Sequence, residues 1–177
     1  MGNELSVQQI WGFLAEVGER LQFPAVLLVL GGSGLGLLGN ARPTLDFDFD
    51  GEEKAVDEFR VLLEHIAKER QIELEAVPLH RFIPLPPGAM QRHIPIGEFG
   101  LLRVMVFDPY SIALSKLDRG FDSDIEDITF LLRRGHVDPE VLGKMVDDAS
   151  ASSVEFDLEP AQMRARLKLA LEDLENS

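Results

Sequence analysis

The chain has 177 residues, with 17 Lys+Arg against 31 Asp+Glu, for a formal net charge of −14. At 45% hydrophobic and 27% charged residues it is too apolar for a disordered chain and suits one domain, with or without a helical extension. The absence of cysteine excludes disulfide scaffolds, thiol nucleophiles and Cys-ligated zinc, and the acidic excess disfavours unassisted binding to long nucleic acids or anionic membranes, where phosphate contacts need Lys and Arg.

The N-terminal residues carry Glu4 in place of a basic cluster, and no signal-like apolar run follows. The longest apolar run, residues 24–30, falls short of the roughly 20 residues of a membrane helix. The expected setting is therefore the cytoplasm of a microbe, with no membrane partner.

In chain order, the first element is a helix over 7–22. Ser6 and Gln9 form a capping box, and Val7, Ile10, Trp11, Leu14, Val17 and Leu21 recur at helical spacing. Trp11 is expected in the core. Residues 25–30, bounded by Pro24 and Gly31, predict a buried strand. A glycine-rich segment follows over 31–39, in which Gly34, Gly36 and Gly39 allow close packing.

Residues 44–50 alternate polar and apolar, which predicts a strand with two distinct faces. Leu45, Phe47 and Phe49 line one face; Asp46, Asp48 and Asp50 line the other. Like charges two residues apart on one face repel, and a cation is the simplest reason to gather them, although a solvated strand face is the plainer alternative. For Asp50 alone the solvated reading is preferred.

A helix over 52–70 turns Val56, Phe59, Leu62, Leu63 and Ile66 inward, and 72–77 is a strand bearing Glu73 and Glu75 on one face. Prolines 78, 84, 86 and 87 with Gly88 then break the chain into an irregular loop. Residues 101–107 read as a strand, with 92–96 as its weaker partner.

The rest is helical. Asp108-Pro109 and Asp138-Pro139 each place a capping acid before a first-turn proline, for helices over 110–117 and 140–149. Ser123 and Glu126 suggest a capping box for a helix over 125–134, closed by Gly135. A final amphipathic helix spans 161–174. Residues 1–150 are expected to form one domain, with 151–177 a C-terminal helix packed on it. The four histidines show no ligand spacing and read as surface residues.

Two carboxylates at i and i+2 on a strand point the same way and can hold hard cations. A glycine turn opening a helix offers backbone N–H groups to phosphate oxygens. Gly31-Gly32-Ser33 after an apolar strand, followed by Arg42-Pro43-Thr44-Leu45-Asp46-Phe47-Asp48, resembles the nucleotidyltransferase superfamily that includes DNA polymerase β. The Arg-x-Thr-x-Asp-x-Asp form is similar to the small bacterial minimal and abortive-infection, toxin-type branch. Residues 108–117 and 124–127, with Lys116 on a helix and acids shortly after, add to the likeness.

The resemblance implies an α/β (α+β) fold, a short mixed sheet flanked by helices with C-terminal helices beside it. It implies a Mg²⁺-dependent transferase moving NMP from an NTP to a hydroxyl acceptor, with two ions roughly 4 Å apart aligning an in-line displacement. Asp46 and Asp48 would ligate metal. Gly31, Gly32 and Ser33 would hold triphosphate, assisted by Arg42, which could equally pair with a strand carboxylate. Lys116 stands evenly between a phosphate contact and an ion pair with Asp124 or Asp127. The third carboxylate, which draws the acceptor's proton, is Glu75 in preference to Glu73; the family more often has Asp.

The acceptor is a protein hydroxyl, an RNA end or a small hydroxylated molecule. The alternative is a catalytically degenerate binding or regulatory protein of a toxin–antitoxin pair, with a protein partner or a second copy of itself. Gly34, Gly36 and Gly39 formally match a dinucleotide-binding fingerprint, but three acids on the next strand and the missing further βαβ units count against it. No Gly-Lys-Ser/Thr is present for a P-loop.

Overall fold

The first helix, α1 (Val7–Arg20), starts where its capping residues require. The Ser6 hydroxyl accepts from the Gln9 N–H, and the Gln9 side chain accepts from the Ser6 N–H at 2.8 Å. The structure, a computed structural model, describes residues 3–54 and 56–177. Phe13, Leu14 and Val17 are fully buried, whereas Trp11 is 37% exposed, tilted against the Phe99 ring. Phe13 takes the central core position expected of Trp11, packing edge-on to Phe47 with ring centroids 5.1 Å apart.

Strand β1 (Ala25–Val29) leads directly into the short helix α2 (Gly31–Leu37). Strand β2 (Phe47–Asp50) is shorter than its alternating pattern predicts. Only Thr44 is paired before it, by an isolated bridge to Leu5, and Leu45 is 62% exposed, outside the core face it was expected to join. Helix α3 (Glu58–Glu69) likewise starts late, because the Asp57 carboxylate accepts from the Arg60 N–H and sets the cap there. Val56 therefore lies outside the helix and is 85% exposed.

Strand β3 (Leu74–Val77) follows, then β4 (Ile94–Phe99) and β5 (Leu102–Val106). The five strands form one mixed sheet in the order β3-β2-β1-β5-β4. β1 runs parallel to β5 and β2 parallel to β3, while β1–β2 and β4–β5 are antiparallel. The mixed α/β architecture agrees with the expected fold class. Phe47, Phe49, Leu27, Val29, Val104 and Val106 bury the alternate positions of the central strands. Gly34 fits α2 closely against β1, since a Cβ there would stand 3.1 Å from the Val29 carbonyl oxygen.

Contacts divide the chain into two units: one reaching to Pro78 and taking in His93–Phe107, the other Leu79–Arg92 and Asp108–Ser177. The second unit contains 3₁₀ turns at Leu79–Arg81 and Ala89–Gln91 and the helices α4 (Pro109–Arg119), α5 (Asp122–Arg133), α6 (Pro139–Ala149), the short α7 (Ser153–Phe156) and α8 (Pro160–Glu175). Helix α8 packs on α4, α5 and α6. Asp108 and Asp138 cap α4 and α6 ahead of their prolines, as expected.

Helix α5 departs from its expected start. Asp124, not Ser123, provides the side-chain cap, accepting from the Phe121 N–H at 3.1 Å. Of the histidines expected at the surface, His93 and His136 are partly buried; His93 stacks on Phe107 with centroids 4.6 Å apart. Among the described residues, no helix is long and apolar enough to cross a membrane.

Candidate functional site

On β2 the side chains alternate. Phe47 and Phe49 point into the core, so Asp48 and Asp50 lie on the opposite face, half-buried. The parallel β2–β3 register sets Asp48 opposite Glu75 and Phe49 opposite Ala76. Glu75 therefore shares the face of Asp48, and Asp46 approaches from the bend that precedes β2. Asp46, Asp48 and Glu75 each offer a carboxylate oxygen, and these atoms all lie within 4.8 Å of one another. Glu73, two residues earlier, stands before β3 and is outside this group.

The backbone around the carboxylates is built close. Gly31 has φ +57°, and a Cβ there would overlap the Asp48 carboxylate. Gly32 faces Thr44, where a Cβ would come within 2.7 Å of the hydroxyl oxygen. A side chain on Gly31 would displace the Asp48 carboxylate, and one on Gly32 would displace the Thr44 side chain. Ser33 is fully buried, and its hydroxyl donates to the Asp46 carbonyl at 2.8 Å. The N–H groups in the first turn of a helix have no intrahelical acceptor, and here that turn borders the carboxylates.

Arg42 lies partly buried in the loop before β2, its own N–H donating to the Asn40 side chain at 3.3 Å. Lys116 is elsewhere. It is 4% exposed on α4, inside the second unit, with Nζ 2.7 Å from Asp127 and 3.2 Å from Asp124. The Arg119 guanidinium adds a second cationic contact to Asp124 at 2.6 Å. Burial works against ionisation of Asp124, but the hydrogen bonds from Arg119, the nearby Lys116 charge and the Phe121 N–H outweigh it, and its pKa is lowered. The ion-pair position of Lys116 is thus the one the chain adopts.

The donor set is chemically uniform. Three carboxylates and no nitrogen or sulfur ligand suit a hard divalent cation such as Mg²⁺ or Mn²⁺ over zinc or copper. Two residues that matter to this geometry were given no role from sequence, Thr44 being quoted only within the motif and Leu5 not at all. Thr44 and Leu5 pair through two backbone hydrogen bonds, 2.6 and 3.1 Å long, immediately ahead of Asp46. The available signal for Thr44 was its position two residues before Asp46, which directs both side chains to one side.

Residues 7–176 match the family model described as "Nucleotidyltransferase of unknown function (DUF6036)". No curated protein and no solved structure matches the chain.

Proposed function

The chain belongs to this nucleotidyltransferase family of unknown function, and on that premise we propose that it is a divalent-metal-dependent transferase of nucleoside monophosphate from an NTP to a hydroxyl acceptor. The observation that carries the reading is the convergence of Asp48 and Glu75 from two paired strands and Asp46 from the bend before β2, with carboxylate oxygens within 4.8 Å of one another. A solvated acidic face has no need of that convergence, because like charges at such range repel unless a cation offsets them.

Asp46 and Asp48 would hold the cation pair, with Mg²⁺ the preferred ion. When bound, the ions neutralise triphosphate charge and make the acceptor hydroxyl easier to deprotonate. The residues of the chain do the positioning. The first-turn N–H groups of Gly31, Gly32 and Ser33 would supply donors to phosphate oxygens beside the carboxylates. Arg42 is assigned to the same phosphates. Lys116 is assigned to the interior of the second unit.

The acceptor oxygen forms a bond to the α-phosphorus as the bond to the β-phosphate oxygen breaks, and pyrophosphate leaves. Glu75, the exposed member of the three, takes the acceptor's proton. The acceptor class comprises protein hydroxyls, RNA ends and small hydroxylated molecules. The acidic balance of the chain favours a nucleotide delivered as its metal complex over a long polyanion.

Calorimetry with NTP and Mg²⁺ tests the site. Wild type should bind NTP only with metal present, and Asp46→Ala/Asp48→Ala should lose that binding. Metal-dependent binding that survives in the double variant would remove the assignment. Incubation with α-labelled NTPs and candidate acceptors separates a transferase from a degenerate nucleotide binder, since only turnover moves the label.

A further inference from the structure

Asp46 differs from its two partners in how it is held. Asp48 and Glu75 sit in register on paired strands, whereas Asp46 precedes β2 in a bend and has no strand pairing of its own. A metal ligand on unpaired backbone needs other restraints to keep its carboxylate in place.

The structure supplies three such restraints, all within the first unit. The Ser33 hydroxyl, fully buried on α2, donates to the Asp46 carbonyl at 2.8 Å. The Thr44 hydroxyl reaches the Asp46 carboxylate through a long hydrogen bond of 3.5 Å. The Thr44 backbone is itself fastened to Leu5, a buried residue, by hydrogen bonds in both directions. Gly32, lacking a Cβ, leaves the room the Thr44 side chain occupies: a Cβ there would stand 2.7 Å from the Thr44 hydroxyl oxygen.

We propose that Ser33 and Thr44 are positioning residues for Asp46, acting through its carbonyl and its carboxylate, and that the Leu5–Thr44 bridge is the strap that anchors them. This gives the Ser33 hydroxyl a role distinct from phosphate contact, since it donates to the Asp46 carbonyl at the entry to β2. The inference rests on the metal-site reading above. It predicts that metal affinity depends on two hydroxyls, one of them buried, neither of which is itself a ligand.

The test titrates the full chain with Mn²⁺ alone, followed by the loss of the free-ion electron paramagnetic resonance signal. Melting curves confirm that each variant is folded at the assay temperature. Outer-shell partners of metal ligands typically change affinity by about 10- to 100-fold when removed. Ser33→Ala and Thr44→Val should each weaken Mn²⁺ binding by about 10-fold. Thr44→Ser, which keeps the hydroxyl, should bind like wild type. Because Thr44 is partly exposed, its variants remain informative if Ser33→Ala does not fold. A purely structural role would lower the melting temperature and leave the Mn²⁺ affinity alone. If the folded hydroxyl-lacking variants bind Mn²⁺ as wild type does while Asp46→Ala has lost it, the positioning role is overturned and the metal site stands. If wild type shows no saturable Mn²⁺ binding, the metal-site reading falls and takes this inference with it.

Discussion

Two glutamates, Glu73 and Glu75, lie two residues apart in a segment that alternates polar and apolar, and nothing local separates them. The parallel register of β2 and β3 does, by setting Glu75 against Asp48 and leaving Glu73 before the strand. A direct consequence is that Glu75→Gln should remove most nucleotidyl transfer, a loss of at least about 100-fold if it is the general base. Glu73→Gln should stay within a few-fold of wild type. Single-turnover transfer rates with labelled NTP compare the two, and equal losses would dissolve the distinction. Gly31 shows the reverse case. Its need for glycine was visible as a motif, but the physical cause, an Asp48 carboxylate where a Cβ would stand, belongs to the folded chain.

At the scale of elements, α4 and α5 are joined by buried charges. Lys116, Asp124 and Asp127 are almost fully enclosed, and only Arg119 of the group reaches solvent. Removing one member leaves an uncompensated buried charge, which typically costs about 3–5 kcal/mol. Lys116→Met should therefore lower unfolding stability by about that amount, read by urea denaturation, while leaving metal affinity of the folded protein unchanged. A loss of Mg²⁺-dependent NTP binding in a folded Lys116→Met protein would return the lysine to the phosphate site.

The same network has a pH signature. Asp124 is held below its ordinary carboxylate value in the folded chain, burial being outweighed by Arg119, Lys116 and a backbone N–H. A depressed folded pKa contributes stability that is present above the unfolded value, near 3.8, and is lost as pH falls through the folded value. Arg119→Gln should destabilise the protein at neutral pH, and the gap to wild type should close on acidification below that range. A gap that stays constant with pH would mean that Arg119 acts by packing and not by charge.

For the whole molecule, a net charge of −14 implies self-repulsion that salt relieves. Sodium chloride should raise the melting temperature modestly. At matched ionic strength Mg²⁺ should raise it further, because a ligand that binds only the folded state stabilises by mass action. The extra increment should vanish in Asp46→Asn/Asp48→Asn; its persistence there would mean that Mg²⁺ acts elsewhere on the acidic surface. The charge excess thus has two parts: a general surface repulsion and one local cluster whose repulsion a cation cancels.

What the sequence determined by itself came from short-range physics. Alternation over 47–50 placed Asp48 and Asp50 on one face, Ser6 and Gln9 began α1, and the Asp-Pro pairs began α4 and α6, because strand pleat and helix caps depend on neighbours within a few residues. The tertiary structure alone decided the exposure of Trp11 and Leu45, the grouping of Glu75 with Asp46 and Asp48, the enclosure of Lys116, and the hydrogen bonds that link Asp46 to Ser33 and Thr44 and Thr44 to Leu5. Most of these depend on strand register and on packing between different elements, and no local periodicity encodes which partner an element will have.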